Sequence, residues 1–306
     1  MHHTSLSKDT ALALLRAAGI DVPRTRLTIE RRERRWLLLW SDPGHLAWLA
    51  AEPEGATQLD VENRMLTLVV KHCSFAAPRT LYFDPASGLA IRTRIPGSVD
   101  PAGLHTRLRG DPVLAGRIGQ WLGRALAEMH AIPASSVAGW LPTRPNWPEP
   151  LPWIRERLPQ VLGTQHPLLP RLNTLLRHYE ALIDRQRDPV PAHTDLGLHN
   201  LVVDPETAMP RGIIDFDAAA YVDRHLDFRY CVLGTNESAL FERALKSYLD
   251  ATGRTLERKT IYLHNALSAC SYIANRAGHA PEAAWCGRTL IEDCHWADEA
   301  LRRVGL

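Results

Sequence analysis

The chain has 306 residues, enough for one large domain or two ordinary ones. Its 45% apolar and 23% charged residues are typical of globular proteins, and a net charge of +2 without a basic block argues against nucleic acid as the main partner. No run of about 18 apolar residues occurs, so we expect no membrane partner. The five cysteines contain no CxxC pair and the N-terminus lacks signal-peptide features, which together predict a cytoplasmic location.

The first part of the chain is predicted to be rich in strands. Two apolar segments, 35–40 and 45–51, flank the turn sequence SDPG and therefore predict a hairpin. The spacing of apolar residues predicts a helix over 57–72, and 79–97 predicts two short strands. The mixed-sign run ERRERR, at 30–35, is interpreted as a solvated strand edge or turn.

The rest of the chain is predicted to be mainly helical. Apolar residues recur at three- and four-residue steps over 112–132, and helical patterns resume over 154–187 and from 236 onward. The segment 134–153 is rich in proline and tryptophan and is interpreted as an irregular connection packed onto the body of the protein, with a roof over a ligand pocket as the alternative. The sequence therefore predicts a two-part α+β arrangement.

One short loop, PAHTDLGLHNLVVD at 191–204, contains four polar side chains that are suited to catalysis or metal binding, just before an apolar run. They are His193, Asp195, His199 and Asn200. A second apolar run ends just before Asp215, and the two runs are predicted to pair as an antiparallel hairpin. Asn200 and Asp215 then become neighbours, with Asp195 entering at the same end. Carboxylate and amide oxygens suit Mg²⁺, which takes few protein ligands.

The spacing of these residues resembles a known pair of motifs. His193-x-Asp195 followed by Asn200, and then the IDF sequence around Asp215, is similar to the H-x-D-x-x-x-x-N and I-D-F/W motifs of the aminoglycoside phosphotransferase and choline kinase-like family. Three further segments add to the resemblance. Residues 215–228 match D-F-x-x-A-x-x-G-D-P-x-x-D-L except for Val222, Arg224 and Phe228. The sequence LGRALAEMHAIP at 122–133 looks like the family's helix ending in L-H-x-x-P, and RTRIPG at 92–97 looks like its interlobe linker.

The resemblance implies a protein kinase-like bilobal fold, with a small strand-rich N-lobe at 1–95 and a larger, mainly helical C-lobe at 96–306, joined by a linker at about 92–97. It also implies a phosphotransferase that uses Mg²⁺ and ATP, with GTP as an alternative donor. The implied acceptor is a hydroxyl group of a small molecule, such as an aminoglycoside or other antibiotic, an amino-alcohol or a sugar.

The resemblance assigns roles residue by residue. Asp195 matches the catalytic aspartate, which orients and deprotonates the acceptor hydroxyl. Asn200 and Asp215 match the two metal ligands, whereas His193 and Asp227 match supporting residues of the catalytic loop. His199 has no general role in the family, and it is interpreted as an exposed loop residue or as part of the acceptor pocket.

The N-terminal part departs from the family pattern. The family has a lysine on the third strand, paired to a helix glutamate that Glu62 matches, but here Ala50 stands where the lysine is expected. Lys71 lies nine steps of about 100° from Glu62 on the same predicted helix, and therefore on its opposite face. Nucleotide anchoring is expected from the metal site, from an arginine that the sequence does not identify, or from a set consisting of Glu62 with Arg92, Thr93, Arg94 and Ile95.

Two other function classes compete with the kinase hypothesis. A catalytically silent, pseudokinase-like protein that binds a nucleotide or ligand would explain the missing lysine. A zinc hydrolase would use His193, Asp195 and His199, but no HExxH or HxHxDH pattern supplies the remaining ligands.

Two further clusters have open interpretations. Cys286, Cys294 and His295 are interpreted as ordinary residues, the cysteines being buried thiols, with a metal site as the alternative. A polycationic acceptor would need an acidic wall, and the acidic residues near the C-terminus would either form it or face water. These are Glu292, Asp293, Asp298 and Glu299.

Overall fold

The computed structural model describes residues 5–145, 147–183, 188–232, 238–284 and 287–306. The chain forms two compact units, the first from Met1–Ser98 and Asn200–Ala219, the second from Val99–His199 and Ala220–Leu306. The first unit therefore includes a segment from the second half of the chain, and that segment carries Asn200 and Asp215. The division at residues 95 and 96 stays a prediction.

The first unit is built on a five-stranded antiparallel sheet in the order β1-β2-β3-β5-β4. Its strands are β1 (Thr28–Arg32), β2 (Arg35–Leu39), β3 (His45–Ala50), β4 (Thr80–Asp84) and β5 (Leu89–Thr93). The predicted hairpin of β2 with β3 and the two predicted strands β4 and β5 are confirmed.

The two faces of this sheet have different surroundings because side chains alternate along each strand. One face presents Leu38, Leu49 and Ile91 to a core that includes helix α1 (Lys8–Ala17), an element absent from the prediction. The opposite face carries Arg35 and Arg92, both buried. The interpretation of 30–35 as a solvated run is therefore wrong for its last residue, because β2 begins there and turns that side chain inward.

Helix α2 (Pro53–His72) follows β3 and confirms the helix predicted over 57–72. The segment after it pairs with a hairpin of two strands, β7 (Leu201–Val203) and β8 (Pro210–Ile213). Gly212 lies so close to this segment that a Cβ atom there would be 2.2 Å from the carbonyl oxygen of Ala76. This close approach ties the end of β8 to the region just beyond α2.

The second unit is mainly helical, as predicted. Its helices are α3 (Pro101–Gly110), α4 (Pro112–His130), α5 (Ala134–Val137), α6 (Leu151–Leu162), α7 (Leu169–Ile183), α8 (Ser238–Thr252), α9 (Arg258–Asn275) and α10 (Leu290–Arg303). Strands β6 (Pro189–Ala192) and β9 (Ala220–Asp223) pair antiparallel. In the chain they flank the loop that contains Asp195 and the hairpin of β7 and β8. None of the helices within the described residues is long and apolar enough to cross a membrane.

Helices α4 and α8 approach each other closely because α4 presents glycines to α8. A Cβ atom at Gly119 would lie 2.1 Å from the carbonyl oxygen of Leu240, and one at Gly123 would lie 2.2 Å from that of Ala244. Such contacts involve backbone atoms, which cannot rotate away as a flexible side chain can. Backbone packing therefore fixes the position of the helix that ends at His130.

We expect Gly123→Ala to lower the thermal unfolding midpoint by several degrees, equivalent to about 2 kcal/mol, because the added methyl group overpacks the α4–α8 contact. Gly116→Ala is the matched control, since a Cβ atom there meets only ordinary contacts, the nearest at 3.5 Å. The control should be neutral or stabilising by about 0.5 kcal/mol through its helix propensity. Equal midpoints for the two variants would contradict this packing.

Candidate functional site

The hairpin of β7 and β8 brings Asn200 and Asp215 to the same end. Leu201 pairs with Ile213, and the backbone N–H of Ile214 donates to the carbonyl oxygen of Asn200 at 3.1 Å. The predicted hairpin is therefore confirmed. Asn200 is buried, whereas the side chain of Asp215 is 41% exposed.

Asp215 has a left-handed backbone conformation, with φ of 65°. This region of backbone space is costly for most residues, although aspartate tolerates it better than branched side chains do. Strain of this kind is concentrated at functional sites, where surrounding contacts hold it in place. Here those contacts include an arginine that lies against the Asp215 carboxylate.

Asp215 belongs to a set of five charged side chains in the first unit, here called the charge cluster. Its members are Arg35, Glu62, Arg92, Asp215 and Asp217. The guanidinium of Arg35 donates through Nη1 to Glu62 at 3.0 Å, and its Nη2 lies 2.7 Å from Asp217 and 3.4 Å from Asp215. Arg92 contacts Glu62 at 2.6 Å from the other side. Three carboxylates and two guanidiniums leave the cluster with a formal charge of −1.

The charges of the cluster stabilise one another. Burial raises the pKa of Glu62, but the charges of Arg92 and Arg35 outweigh burial and hold that pKa below its ordinary value. The backbone N–H of Phe216 also stabilises the ionised Glu62 carboxylate. Burial lowers the pKa of Arg35, but Glu62 and the two aspartates reverse this and raise it. Glu62 and Arg35 are therefore both ionised at neutral pH.

The other residues predicted to bind nucleotide lie at and beyond the end of β5. Arg92 is almost fully buried and contacts Glu62, as described above. The backbone N–H groups of Thr93 and Arg94 already donate to carbonyl oxygens, at 2.9 and 2.7 Å. Ile95 is half-buried. A direct contact of Thr93, Arg94 or Ile95 with a nucleotide stays a prediction.

In the second unit, a different buried carboxylate holds the loop that leads into Asp195. Asp227 accepts hydrogen bonds from the backbone N–H groups of His193 at 2.9 Å and Thr194 at 2.7 Å. His130, at the end of α4, lies 3.0 Å from the same carboxylate through Nε2. Thr194 has a φ of 64°, an outlier for a β-branched residue. Asp227 therefore fixes the unusual turn that leads into Asp195.

Asp195 itself lies at the exit of this turn. Its Oδ2 is 3.0 Å from Nε2 of His199, and its backbone N–H donates to Nδ1 of His193 at 3.2 Å. Burial raises the pKa of Asp195, but the hydrogen bond and charge of His199, with a contribution from Arg229, hold that pKa below its ordinary value. Asp195 is therefore a carboxylate at neutral pH. His199 is exposed, as one of its two interpretations expected, but it also positions this carboxylate.

Three half-buried aromatic side chains of the second unit form a row: Trp147, Tyr272 and Trp296. Trp147 meets Tyr272 edge to face with ring centroids 5.2 Å apart, and Tyr272 meets Trp296 at 5.4 Å. The guanidinium of Arg288 lies over Tyr272 and Trp296, at 4.4 and 4.6 Å from the ring centroids. We call the three rings the aromatic row.

A chain of contacts joins the aromatic row to His199, in the loop that contains Asp195. Trp296 donates through Nε1 to Asn265 at 3.3 Å, and Asn265 donates to the carbonyl oxygen of Arg229 at 2.9 Å. The Arg229 guanidinium lies 4.3 Å from the ring centroid of Tyr230. Tyr230 in turn meets the ring of His199, the partner of the loop carboxylate, at 6.1 Å. The row is thus part of the same packed network as the loop.

The acidic residues near the C-terminus are engaged by neighbouring side chains. Asp293 is fully buried, and Glu292 forms a capping box at the start of α10. The pairs are Asp293 with Arg276 and Arg288, Glu292 with Thr289, Asp298 with Arg171 and Arg302, and Glu299 with His295. These four residues therefore do not form a wall of unpaired carboxylates.

The described part of the chain contains no group of three or more His, Cys, Asp or Glu side chains placed to hold a metal ion. The proposed zinc set of His193, Asp195 and His199 gains no further ligands there. Cys286 lies outside the described residues. Cys294, its proposed partner, is a half-buried free thiol.

The model of the phosphotransferase enzyme family matches residues 49–262, well over half of the chain. The chain belongs to the phosphotransferase enzyme family. The family predicted from the motifs and the predicted enzyme class, a small-molecule kinase, are thereby confirmed. A comparison with curated protein sequences finds no significant match.

Solved structures share the fold of this phosphotransferase over nearly its whole length. They include the GDP complex of wild-type aminoglycoside 2'-phosphotransferase-IIIa, with 18% identity, coverage of 97% of this chain and 96% of that chain, and a TM-score of 0.64. Macrolide 2'-phosphotransferase MphH from Brachybacterium faecium has 20% identity, covers 96% of this chain and 98% of its own, and has a TM-score of 0.64. The streptomycin–ATP complex of APH(2")-IIa has 15% identity, covers 98% of this chain and 97% of its own, and has a TM-score of 0.64. The predicted protein kinase-like α+β fold, with its strand-rich N-terminal and helical C-terminal parts, is confirmed.

Three residues were missed from the sequence: His130, which contacts Asp227, and Arg35 and Asp217 of the charge cluster. His130 is the last residue of the helix LAEMH, whose resemblance to the family was noted, so the motif could have identified it. Asp217 is the second aspartate of the sequence IDFD and follows Asp215 at the two-residue spacing that allows both to face one cation. Arg35 gave no signal, because it ends a run of charges that resembles an exposed turn.

We expect Asp227→Asn to destabilise the phosphotransferase by about 3 kcal/mol at pH 7, because two buried backbone N–H groups and His130 lose their charged acceptor. The pKa of Asp227 is lowered in the folded state: burial raises it, but His130 outweighs burial. The contribution of the carboxylate is therefore fully present above the unfolded pKa of about 4 and is lost as the pH falls through the lower folded value.

Urea unfolding of both proteins between pH 7 and pH 3.5 measures this effect, and the gap between wild type and variant should narrow only at the acidic end. The control is Asp250→Asn, which removes an exposed ion pair with Lys246 and should change little. A gap that stays constant, or grows on acidification, would show that the ionised carboxylate is not the stabilising species.

Proposed function

We propose that this phosphotransferase transfers the terminal phosphoryl group of a magnesium-bound nucleoside triphosphate, ATP in the first instance with GTP as an alternative, to a hydroxyl group of a small molecule. The assignment of phosphoryl transfer rests on membership of the phosphotransferase enzyme family. The proposed location of the metal site rests on the pairing of Leu201 with Ile213, because this pairing aligns Asn200 and Asp215 at one end of a hairpin. Phosphoryl transfer depends mainly on positioning and on stabilising charge, and these residues supply both.

The donor set fits a magnesium ion. Asp215 offers a half-exposed carboxylate, and Asn200 offers an amide oxygen on the neighbouring strand start. Both are hard oxygen ligands, and Mg²⁺ is usually bound by one or two such groups together with water and phosphate oxygens. We therefore propose Asn200 and Asp215 as the residues that hold the ion. When bound, the ion neutralises phosphate charge that develops during transfer.

Asp195 is proposed as the base that positions the acceptor. Its carboxylate accepts the proton of the acceptor hydroxyl while the hydroxyl oxygen forms a bond to the terminal phosphorus and the bond from phosphorus to the leaving nucleoside diphosphate breaks. The lowered pKa of Asp195 keeps the carboxylate ionised and ready to accept that hydrogen bond. Its contacts with His199 and with the backbone of the loop hold it in one orientation.

The alternative of a catalytically silent protein finds no support. Its motivation was the lysine missing from the third strand, but the three residues that would perform the chemistry are retained. The charge cluster next to Asp215 also contains two guanidiniums, so positive charge is present in the first unit despite the missing lysine.

We infer further that the acceptor carries few positive charges. The acidic residues near the C-terminus, for which an acidic wall was one of two interpretations, are engaged in ion pairs or in a helix cap. The aromatic row carries the guanidinium of Arg288 on its surface. Aromatic rings and a cation favour an apolar or weakly charged acceptor over a multiply protonated one.

Asp195→Asn should lower kcat by about 10²- to 10⁴-fold, because the amide cannot accept the proton of the acceptor hydroxyl. Release of ADP from Mg²⁺-ATP in the presence of a panel of hydroxyl compounds measures the activity, and calorimetric titration with Mg²⁺-ATP should show binding unchanged within about threefold. Asp204→Asn, in the turn between β7 and β8, is the matched control and should retain activity. Full activity of the Asp195 variant would refute the proposed base.

The acceptor inference is tested with compounds of contrasting charge. At equal concentration, we expect a macrolide to stimulate release of ADP more than kanamycin or streptomycin does, because both of these carry several cationic groups. The stimulation is compared at low and high salt, since screening should reduce a repulsion between a polycation and Arg288. A preference for kanamycin at both salt concentrations would contradict the inference.

A further inference from the structure

In the family pattern, a lysine on the third strand pairs with the helix glutamate and holds the nucleotide phosphates, but here that strand carries Ala50 instead. Glu62 occupies the glutamate position and is buried, so it needs positive partners. Two arginines meet it, Arg35 from β2 and Arg92 from β5. The strand register and the contacts of Arg35 indicate that it takes the place of the missing lysine.

Strand register places Arg35 beside the vacant lysine position. Arg35 of β2 pairs directly with Ala50 of β3. Residues that face each other across an antiparallel pair have Cβ atoms about 4.5–5.5 Å apart and point to the same side of the sheet. A side chain from position 35 therefore starts one strand away from a side chain at position 50 and projects from the same face.

Arg35 spans the two groups that such a cation must join. Its Nη1 contacts Glu62 at 3.0 Å, while its Nη2 extends to Asp217 at 2.7 Å and to Asp215 at 3.4 Å. Because Asp215 is the proposed metal ligand, the guanidinium lies next to the place where nucleotide phosphates would meet the ion. An arginine fork can hold a carboxylate with one nitrogen and a phosphate with the other.

The Arg35 guanidinium is also held in position by stacking on the Trp48 ring. Its central carbon lies 4.7 Å from the ring centroid of Trp48, which projects from the same sheet face as Ala50. The Arg35 side chain is only 10% exposed. A buried and stacked guanidinium loses little further freedom on meeting a ligand, which favours tight binding.

Arg92 is less suited to this role. Its side chain is 2% exposed, and within the described part of the chain its one ion pair is with Glu62, at 2.6 Å. It therefore acts as a second counter-ion for Glu62. That support matters, because Glu62 stays neutralised when the fork of Arg35 turns toward a ligand.

We propose that Arg35 is the phosphate-binding cation of this phosphotransferase, supplied from β2 in place of a lysine on β3. The proposal rests on the proposed function. It is consistent with the three carboxylates of the cluster: Asp215 would hold the ion, and the Arg35 guanidinium, which lies 3.4 Å from Asp215, would contact the phosphates beside it. Arg35 binds and positions the donor and takes no proton.

Binding of Mg²⁺-ATP and of Mg²⁺-ADP to Arg35→Met, measured by isothermal titration calorimetry, tests the proposal without relying on turnover. Methionine keeps the apolar stem against Trp48, and Arg92 keeps Glu62 paired, so the fold should survive. We expect affinity for both nucleotides to fall by at least about tenfold, the loss typical of a charge-assisted contact. Steady-state kinetics should show a raised KM for ATP. Arg34→Met, at an exposed position beside it, is the matched control and should bind as wild type does.

A relocated cation gives the sharper test. In the double variant Arg35→Met with Ala50→Lys, positive charge returns from β3, and we expect at least half of the lost binding free energy to be recovered. Ala50→Met with Arg35→Met controls for the added bulk and should recover none. A double variant with lysine that binds no better than the one with methionine would overturn the placement of Arg35 as the substitute cation.

The outcomes separate this proposal from the proposed function. If wild type does not bind Mg²⁺-ATP, the proposed function fails; if wild type binds and folded Arg35→Met binds equally well, only the role of Arg35 fails. Should Arg35→Met not fold, Arg35→Lys takes its place. An ammonium lacks the fork that spans Glu62 and the phosphates, so affinity should fall at least about threefold. Unchanged affinity in that variant would also overturn the proposal.

Discussion

The first unit depends on one buried carboxylate that must be neutralised. Glu62 lies inside the protein, where an unpaired charge would be strongly unfavourable, and two guanidiniums and a backbone N–H hold it ionised. Through these partners, helix α2 is joined to β2, to β5 and to the segment around Asp215. A charge that is too costly to leave alone therefore orders the elements that surround the proposed metal ligands.

The second unit repeats this solution with a different carboxylate. Asp227 is buried, accepts hydrogen bonds from the backbone N–H groups of His193 and Thr194, and is held ionised by His130. Each of the two functional segments contains a non-glycine residue in the left-handed region, Thr194 in one and Asp215 in the other. In both cases strong electrostatic contacts close by compensate the strain, so the geometry of the loops is set by buried charge and not by their own conformational preference.

The chain keeps the motif residues of its family and departs from the family pattern at the third strand, where Ala50 stands in place of a lysine. Asp195, Asn200 and Asp215 follow the motif, because in-line phosphoryl transfer tolerates little change in the groups at the reacting atoms. Two arginines pair with Glu62, and of these we propose Arg35 as the cation that replaces the lysine. The acidic residues near the C-terminus, one of whose interpretations was a wall for a polycationic acceptor, are engaged in ion pairs or in a helix cap. Binding contacts can be supplied from several directions, so they change more readily than the reacting groups.

The sequence by itself determined the sheet hairpin, helix α2, the hairpin that joins Asn200 to Asp215, and the family, because all of these follow from local spacing of apolar residues and from short motifs. Only the tertiary structure decided the partners of Glu62, the burial of Arg35 and the engagement of the acidic residues of α10. These depend on which residues meet across strands and between helices distant in the chain. An arginine in a charged run looks exposed until the strand register shows which face it occupies.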